Sequence, residues 1–191
     1  MADPSDADPA ALELRVEELL ASVPEWVWDG KSLPIPVDEI ADSHFGLLVR
    51  EVGEMALAPG CPPVPAGQSL SGLLLAERGE IWVNGEEAKD WPSRRRFTIA
   101  HELGHWVLHR DQQTRLFCRH GSIDPPNPET KAERPPLPAI EEEANAFAAA
   151  LLMPAELIRS HYTATGKSFE KLCEIFAASG AAMGKRLHAV I

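Results

Sequence analysis

His101 and His105 stand four residues apart in the run RRRFTIAHELGHWVLHR, residues 94–110, and Glu102 follows the first of them. On an α-helix residues i and i+4 share a side, so both imidazoles can present a ring nitrogen to one ion about 2.0–2.1 Å away. Glu102 lies about 100° around the helix from His101, placed to reach a coordinated water rather than the ion. A zinc ion lowers the pKa of such a water to about 7, and the carboxylate would take its proton as the water attacks a carbonyl. The competing account is a purely structural buried helix, since Ile99, Ala100, Leu103, Trp106, Val107 and Leu108 make the segment apolar nearly all round. Two histidines and a glutamate buried there would each need hydrogen-bond partners, a difficulty that a metal removes.

A catalytic zinc takes three protein ligands and keeps one position open, so a third ligand must come from elsewhere. Asp111 has the spacing from His105 at which metzincins carry theirs, but that geometry needs a glycine three residues after His105, where this chain has Leu108. His109 shares the helix face, yet it sits two turns, about 12 Å, from His101 along the axis and would not close the same site. The segment IEEEANAFAAALLMP offers more. Glu141 and Asn145 fall on one helical face, giving a carboxylate for the metal and, one turn on, an amide able to orient a ligand histidine. Glu142 and Glu143 fall on other faces and read as solvated charges that favour a helix start. His161 and Tyr162 are candidate donors to a tetrahedral oxyanion, with ordinary surface residues as the competing reading. Cys118 reads as an idle thiol rather than a fourth ligand.

Nearer the start of the chain, Leu12, Val16, Leu19 and Leu20 recur at helical spacing, which predicts a helix from Ala10 to Val23 ending at Pro24. PVDEIADSHFGLLVREV predicts a short helix, a turn at Gly46 and a strand from Leu47 to Val52. SGLLLAERGEIWVNG predicts a hairpin, Leu73–Ala76 against Glu80–Val83, with Gly79 in its turn and Asn84-Gly85 marking the next one. Ser93 is a candidate cap for the histidine-bearing helix. Three arginines in that helix's first turn oppose its dipole; they read as a solvated edge or as a patch meeting an acidic segment, such as the chain's own N-terminal part. Residues 121–138 contain six prolines and read as a long loop. Two amphipathic helices around Ser179-Gly180 close the chain.

The formal net charge of −11 is uneven: residues 1–60 carry 13 acidic and 3 basic side chains, net −10, and the remainder is nearly balanced. The first third would therefore repel nucleic acid. No apolar stretch approaches the roughly 20 residues that cross a bilayer, and the first residues are acidic where a secretory signal is basic, so a cytoplasmic location is expected. Three cysteines without metal-knuckle spacing predict reduced thiols.

RRRFTIAHELGHWVLH followed by EEEANAFAAALLMP resembles the ImmA/IrrE family of zinc-dependent metallopeptidases, of the gluzincin-like group. The resemblance runs from the hairpin near Ser71 to about Pro154 and more loosely to the C-terminus. It implies zinc on His101, His105 and Glu141, with Glu102 as the base, and an active-site sheet whose edge strand binds extended substrate. Members commonly act on helix-turn-helix repressors. This chain departs from the pattern in its proline-rich loop and its acidic first third.

The expected fold is α+β: a small, mainly antiparallel sheet packed on the HExxH helix and the glutamate-bearing helix, with accessory helices at both ends. The expected division is a disordered acidic tail, 1–9, a zincin-like metallopeptidase domain, 10–166, and a C-terminal helical pair, 167–191, packed on the core. The expected function is a zinc-dependent endopeptidase acting on a protein substrate, a repressor or other regulator, without a membrane partner or direct nucleic-acid binding. Two alternatives stand beside it. One is a zinc-bound regulator that binds without cleaving. The other is a DNA-binding regulator that touches phosphate through Lys185 and Arg186 of the C-terminal pair, although the reading helix would begin AAMG, with nothing to bond a base edge.

Overall fold

Pro9 opens helix α1 (Pro9–Ser22), where its missing N–H costs nothing, and Asp8 caps it by accepting from the Ala10 N–H at 3.0 Å. The computed structural model describes residues 8–64, 68–110, 116–122 and 137–191, with Gln68 and the strand at 116–122 described as backbone alone. The expected acidic tail up to residue 7, the proline-rich loop across 123–136, and Asp111 lie outside the described residues. After α1 come α2 (Val37–Glu39), a π-helical turn (Ile40–His44), and Gly46, whose φ of +68° reverses the chain into β1 (Leu48–Val52).

Strands β2 (Gln68–Leu75) and β3 (Glu80–Asn84) form the expected hairpin, longer at its first strand than the sequence suggests. It closes through a 3-10 turn and Gly79 at φ +63°, pairing Leu75 with Glu80. With β4 (Leu116–Ser122) the sheet order is β1-β3-β2-β4; β1 runs parallel to β3, and the other two pairings are antiparallel. Alternation along the strands loads both faces. Leu74, Ile81 and Val83 join the main core with the helices, whereas Leu70, Leu73, Leu75 and Trp82 form a second cluster with Met55.

Two boundary readings are corrected. Asn84-Gly85 is not a plain turn: the Asn84 side chain accepts from the Glu86 and Glu87 N–H groups and starts a short helix, α3 (Gly85–Asp90). Ser93 is not a cap, because α4 (Pro92–His109) begins a residue earlier, with Trp91 in the cap position and Pro92 supplying a φ already suited to the helix. The arginines of its first turn are not a solvated edge either. Arg94 pairs with Glu87 at 2.9 Å, Arg95 with Asp38 and Glu51 at 2.7 Å each, and Arg96 donates to the Ile35 carbonyl at 2.7 Å. Acidic groups from the first third of the chain thus offset the charge that opposes the helix dipole.

Helix α5 (Ala139–Leu152) packs on α4, and α6 (Ala155–Ala164) follows Pro154. Helices α7 (Phe169–Phe176) and α8 (Gly180–Val190) are joined by a turn through Ala177, at φ +48°, with Ser179 capping α8; Gly180 is the first helical residue rather than part of the turn. Leu172, Phe176 and Met183 are buried in the same core as Ile99 and Phe147. Arg186 is 5% exposed: Nε donates to the Met153 carbonyl at 2.7 Å and the two Nη groups grip the Glu13 carboxylate. That arginine is committed inside the fold and is not available to a phosphate. Among the described residues no helix is long and apolar enough to cross a membrane.

Candidate metal centre

Helices α4 and α5 cross so that His101 meets both Asn145 and Glu141, and His105 meets the same Glu141. What lets them approach is Gly104. A Cβ at that position would stand 3.0 Å from Phe147 Cδ1 and 3.3 Å from the Ala144 Cα and carbonyl oxygen. A glycine inside a helix costs about 1 kcal/mol relative to alanine, and here it admits the backbone of the partner helix.

At this crossing His101, His105 and Glu141 bring one ligand atom each within 4.8 Å of one another. The Nε2 atoms of the two histidines are 3.1 Å apart, Glu141 Oε2 is 3.1 Å from His101 Nε2, and Glu141 Oε1 is 3.3 Å from His105 Nε2. Four ligands at 2.0–2.1 Å in a tetrahedron stand about 3.3–3.4 Å from each other, close to the spacing found. A single N–H cannot serve both the neighbouring ring and the carboxylate, whereas one cation can be shared by all three. The donor set, two imidazole nitrogens and a carboxylate, suits a divalent transition metal.

The surroundings fix these groups. His101 and His105 are 1% and 0% exposed, and the Glu141 side chain is 21% exposed, so the site opens on the carboxylate side. Burial pushes the Glu141 carboxyl up, but hydrogen bonds and charge from His101 and His105 outweigh it and hold the group at about 2. Glu141 also lies in the first turn of α5, where the helix dipole favours an anion. His101 Nδ1 is 3.1 Å from Asn145 Oδ1, an acceptor that leaves Nε2 as the ligating nitrogen.

Glu102 is fully buried beside the cluster, against strand β2. The register of β2 on β4 slips between Leu70 and Gly72, leaving Ser71 bulged. Ser71 Oγ donates to Glu87 at 3.2 Å and accepts from Arg94 at 3.0 Å, so the bulge is pinned to α3 and α4. The next residue, Gly72, then faces α4 directly. An added Cβ there would lie 2.3 Å from Thr98 Cγ2 and 2.7 Å from Glu102 Oε1.

Two further groups were missed by sequence reasoning. His109, set aside because of its distance from His101, is 1% exposed with Nδ1 3.1 Å from His105 Nδ1. Glu143 is not a solvated helix-start charge: its Oε2 is 2.8 Å from His109 Nε2. Burial draws the His109 imidazole below its ordinary range, against the opposing pull of Glu143. The available signal was the repeat of histidine at 101, 105 and 109, a complete i, i+4, i+8 column on one face. Glu142, by contrast, is exposed. His161 lies edge-on to Phe176, with ring centroids 5.7 Å apart, and Lys167 stands over the Tyr162 ring. Cys118 and His120 belong to the strand described as backbone alone.

A helix carrying two histidines and an adjacent buried glutamate, crossed by a second helix that adds a carboxylate, has the construction of a metallopeptidase centre. Residues 69–188 match the family model described as the IrrE N-terminal-like domain, peptidase M78, and the chain belongs to that family. It is similar to the radiation response metalloprotease IrrE of Deinococcus deserti, 35% identical over 112 residues. That match covers 59% of this chain and 35% of the relative's length.

Proposed function

We propose that the protein is a zinc-dependent endopeptidase that hydrolyses peptide bonds of a protein substrate, with a repressor-type regulator as the substrate class and the cytoplasm as its place of work. The observation that carries this reading is the meeting of His101, His105 and Glu141 at tetrahedral spacing, with buried Glu102 on the adjoining helix face. Histidine nitrogens with one carboxylate suit zinc better than magnesium or calcium, which prefer all-oxygen sites. Family membership and the likeness to a metalloprotease support the same reaction class.

Bound in that cluster, zinc supplies Lewis acidity: it polarises a carbonyl and brings the pKa of water to about 7. The chain's residues do the rest. Glu102 accepts the proton of the attacking water and delivers it to the leaving amine, so the one carboxyl group serves as base and then as acid. Burial excludes competing solvent from that carboxylate, and β2 at Gly72 limits where it can swing. Asn145 holds the His101 ring so that Nε2 faces the cluster. The unit that does this work spans residues 10–166, and the helical pair at 167–191 braces it through the core and through Arg186. With Arg186 committed to Glu13 and Met153, the DNA-binding alternative loses one of its two phosphate contacts.

The test is incubation of the zinc-loaded protein with purified helix-turn-helix repressors, with and without chelator, mapping new termini by mass spectrometry. Cleavage that disappears with chelator and in Glu102→Gln supports the reading. Full cleavage by Glu102→Gln overturns the mechanism, and a stably bound but intact partner points to a regulator that does not cleave.

A further inference from the structure

The column of histidines does not end at the two proposed ligands. His109 stands one turn beyond His105, buried to the same degree, and Glu143 closes the line from α5 with a side chain that is 26% exposed. A leucine or phenylalanine would fill that volume without two polar nitrogens to satisfy, so the imidazole is costly unless its hydrogen bonds are used.

The protons on this line admit one self-consistent assignment if His105 binds metal through Nε2, a step that rests on the function proposed above. His105 then carries its proton on Nδ1, and the 3.1 Å contact makes His109 Nδ1 the acceptor. His109 must in turn hold its proton on Nε2, which is 2.8 Å from a Glu143 carboxylate oxygen. Each nitrogen has one role, and the line ends on an anion near solvent. The His101 ring has its own outer acceptor in Asn145. The two histidines are thus oriented by different means, one by a neutral amide and one by a relay ending in a charge.

We propose that His109 and Glu143 are positioning residues of the metal centre, which together fix the tautomer and ring angle of His105 through the line His105 Nδ1–H to His109 Nδ1 and His109 Nε2–H to Glu143 Oε2. The carboxylate at the far end polarises both imidazoles and makes His105 Nε2 a better donor to a cation. Glu143 acts only through His109, so the two residues form a unit and their effects do not add. Loss of such an outer partner weakens metal binding about 10- to 100-fold.

Zinc dissociation constants, measured by competition with a chromophoric chelator, test this on the full chain and on His109→Phe, Glu143→Ala, Glu143→Gln and the double variant His109→Phe/Glu143→Ala. His109→Phe is expected to weaken zinc binding about 10- to 100-fold. Glu143→Ala should weaken it less, Glu143→Gln should recover most of that loss because its amide oxygen still accepts, and the double variant should bind no worse than His109→Phe. Should His109→Phe fail to fold by circular dichroism, the Ala and Gln variants at the partly exposed position 143 carry the test. Imidazole 15N shifts of the zinc-loaded protein should show His109 protonated at Nε2. Wild-type affinity in both the His109 and Glu143→Ala variants, strictly additive losses, or an Nδ1–H tautomer at His109 overturns the relay alone. A wild-type chain that binds no zinc overturns the metal-centre reading and the relay with it.

Discussion

Replacing Gly72 with alanine exchanges one hydrogen for a methyl group at the point where β2 lies against α4. The new Cβ would stand 2.3 Å from the Thr98 methyl carbon and 2.7 Å from Glu102 Oε1, where non-bonded carbons rest at about 3.5–4.0 Å. Relief demands a retreat of more than about 1 Å, and both neighbours are buried on a helix held by ion pairs at its start. Overpacking of this kind costs about 1–3 kcal/mol, which in a chain of 191 residues lowers Tm by about 2–12 °C. The part of the strain taken up by Glu102 displaces the proposed base, and a misplacement of about 1 Å costs on the order of 100-fold in rate. The ligand atoms come from α4 and α5, so zinc stoichiometry should stay at the wild-type value. Thermal unfolding by circular dichroism, zinc content and cleavage rate are read together, with Gly72→Ala/Thr98→Ser as the second arm of a double-mutant cycle. Serine keeps the hydroxyl and removes Cγ2, so the double variant should regain part of the lost Tm. A Gly72→Ala protein with wild-type Tm and rate, or no coupling to Thr98→Ser, would refute the close approach of strand and base.

Other outcomes follow from the same structure. Glu141→Ala should lower zinc occupancy sharply in metal analysis after dialysis, while Glu102→Gln should leave it unchanged; the reverse pattern would exchange their roles. Gly104→Ala forces Phe147 and Ala144 back by a few tenths of an ångström and should weaken zinc binding with little loss of Tm, since alanine regains about 1 kcal/mol of helix propensity. Arg186→Ala leaves the Glu13 carboxylate and the Met153 carbonyl without their donor and should cost about 3 kcal/mol, read as a lower midpoint in urea. For pH, the Glu141 carboxyl is depressed in the folded chain, so its stabilising contribution is present above its ordinary 4.5 and is lost as pH falls toward about 2. In chelator, the Tm advantage of wild type over Glu141→Gln should therefore shrink across that acid range, and an advantage that grows there would contradict the ionised pair.

The sequence made the clustered residues legible because helical spacing alone puts His101 with His105 and Glu141 with Asn145. It also made the hairpin legible, since two short apolar runs, Leu73–Ala76 and Ile81–Val83, flank a polar turn containing Gly79. What it hid depends on how two elements cross. Glu143 projects from α5 away from the face of Glu141, so helical periodicity assigns it to solvent; only the crossing at Gly104 brings its long side chain within reach of His109. Gly72 offered no signal beyond its residue type, because the bulge at Ser71 that turns it toward α4 arises from pairing with β4 across a gap of more than forty residues. The arginines likewise needed partners distant in sequence, Asp38 and Glu51.

Those arginines also explain how one helix can hold the proposed base, the two proposed ligands and the proposed relay in register. Every proposed function of α4 depends on its rotation about its own axis, because 100° separates Glu102 from His101 and a small turn would carry both imidazoles off Glu141. The helix is fixed at three heights. At its start Arg95 spans Asp38 and Glu51, and Arg94 binds Glu87 and Ser71. At its middle Gly104 seats it on Ala144 and Phe147, and at its end His109 reaches Glu143. Each such half-exposed ion pair contributes only about 1 kcal/mol to stability, too little to account for three adjacent arginines placed against a helix dipole. Their consequence is orientational. Arg95→Gln should therefore cost little in Tm yet loosen zinc binding and slow cleavage together, whereas a proportionate fall in stability alone would make these pairs ordinary supports of the fold.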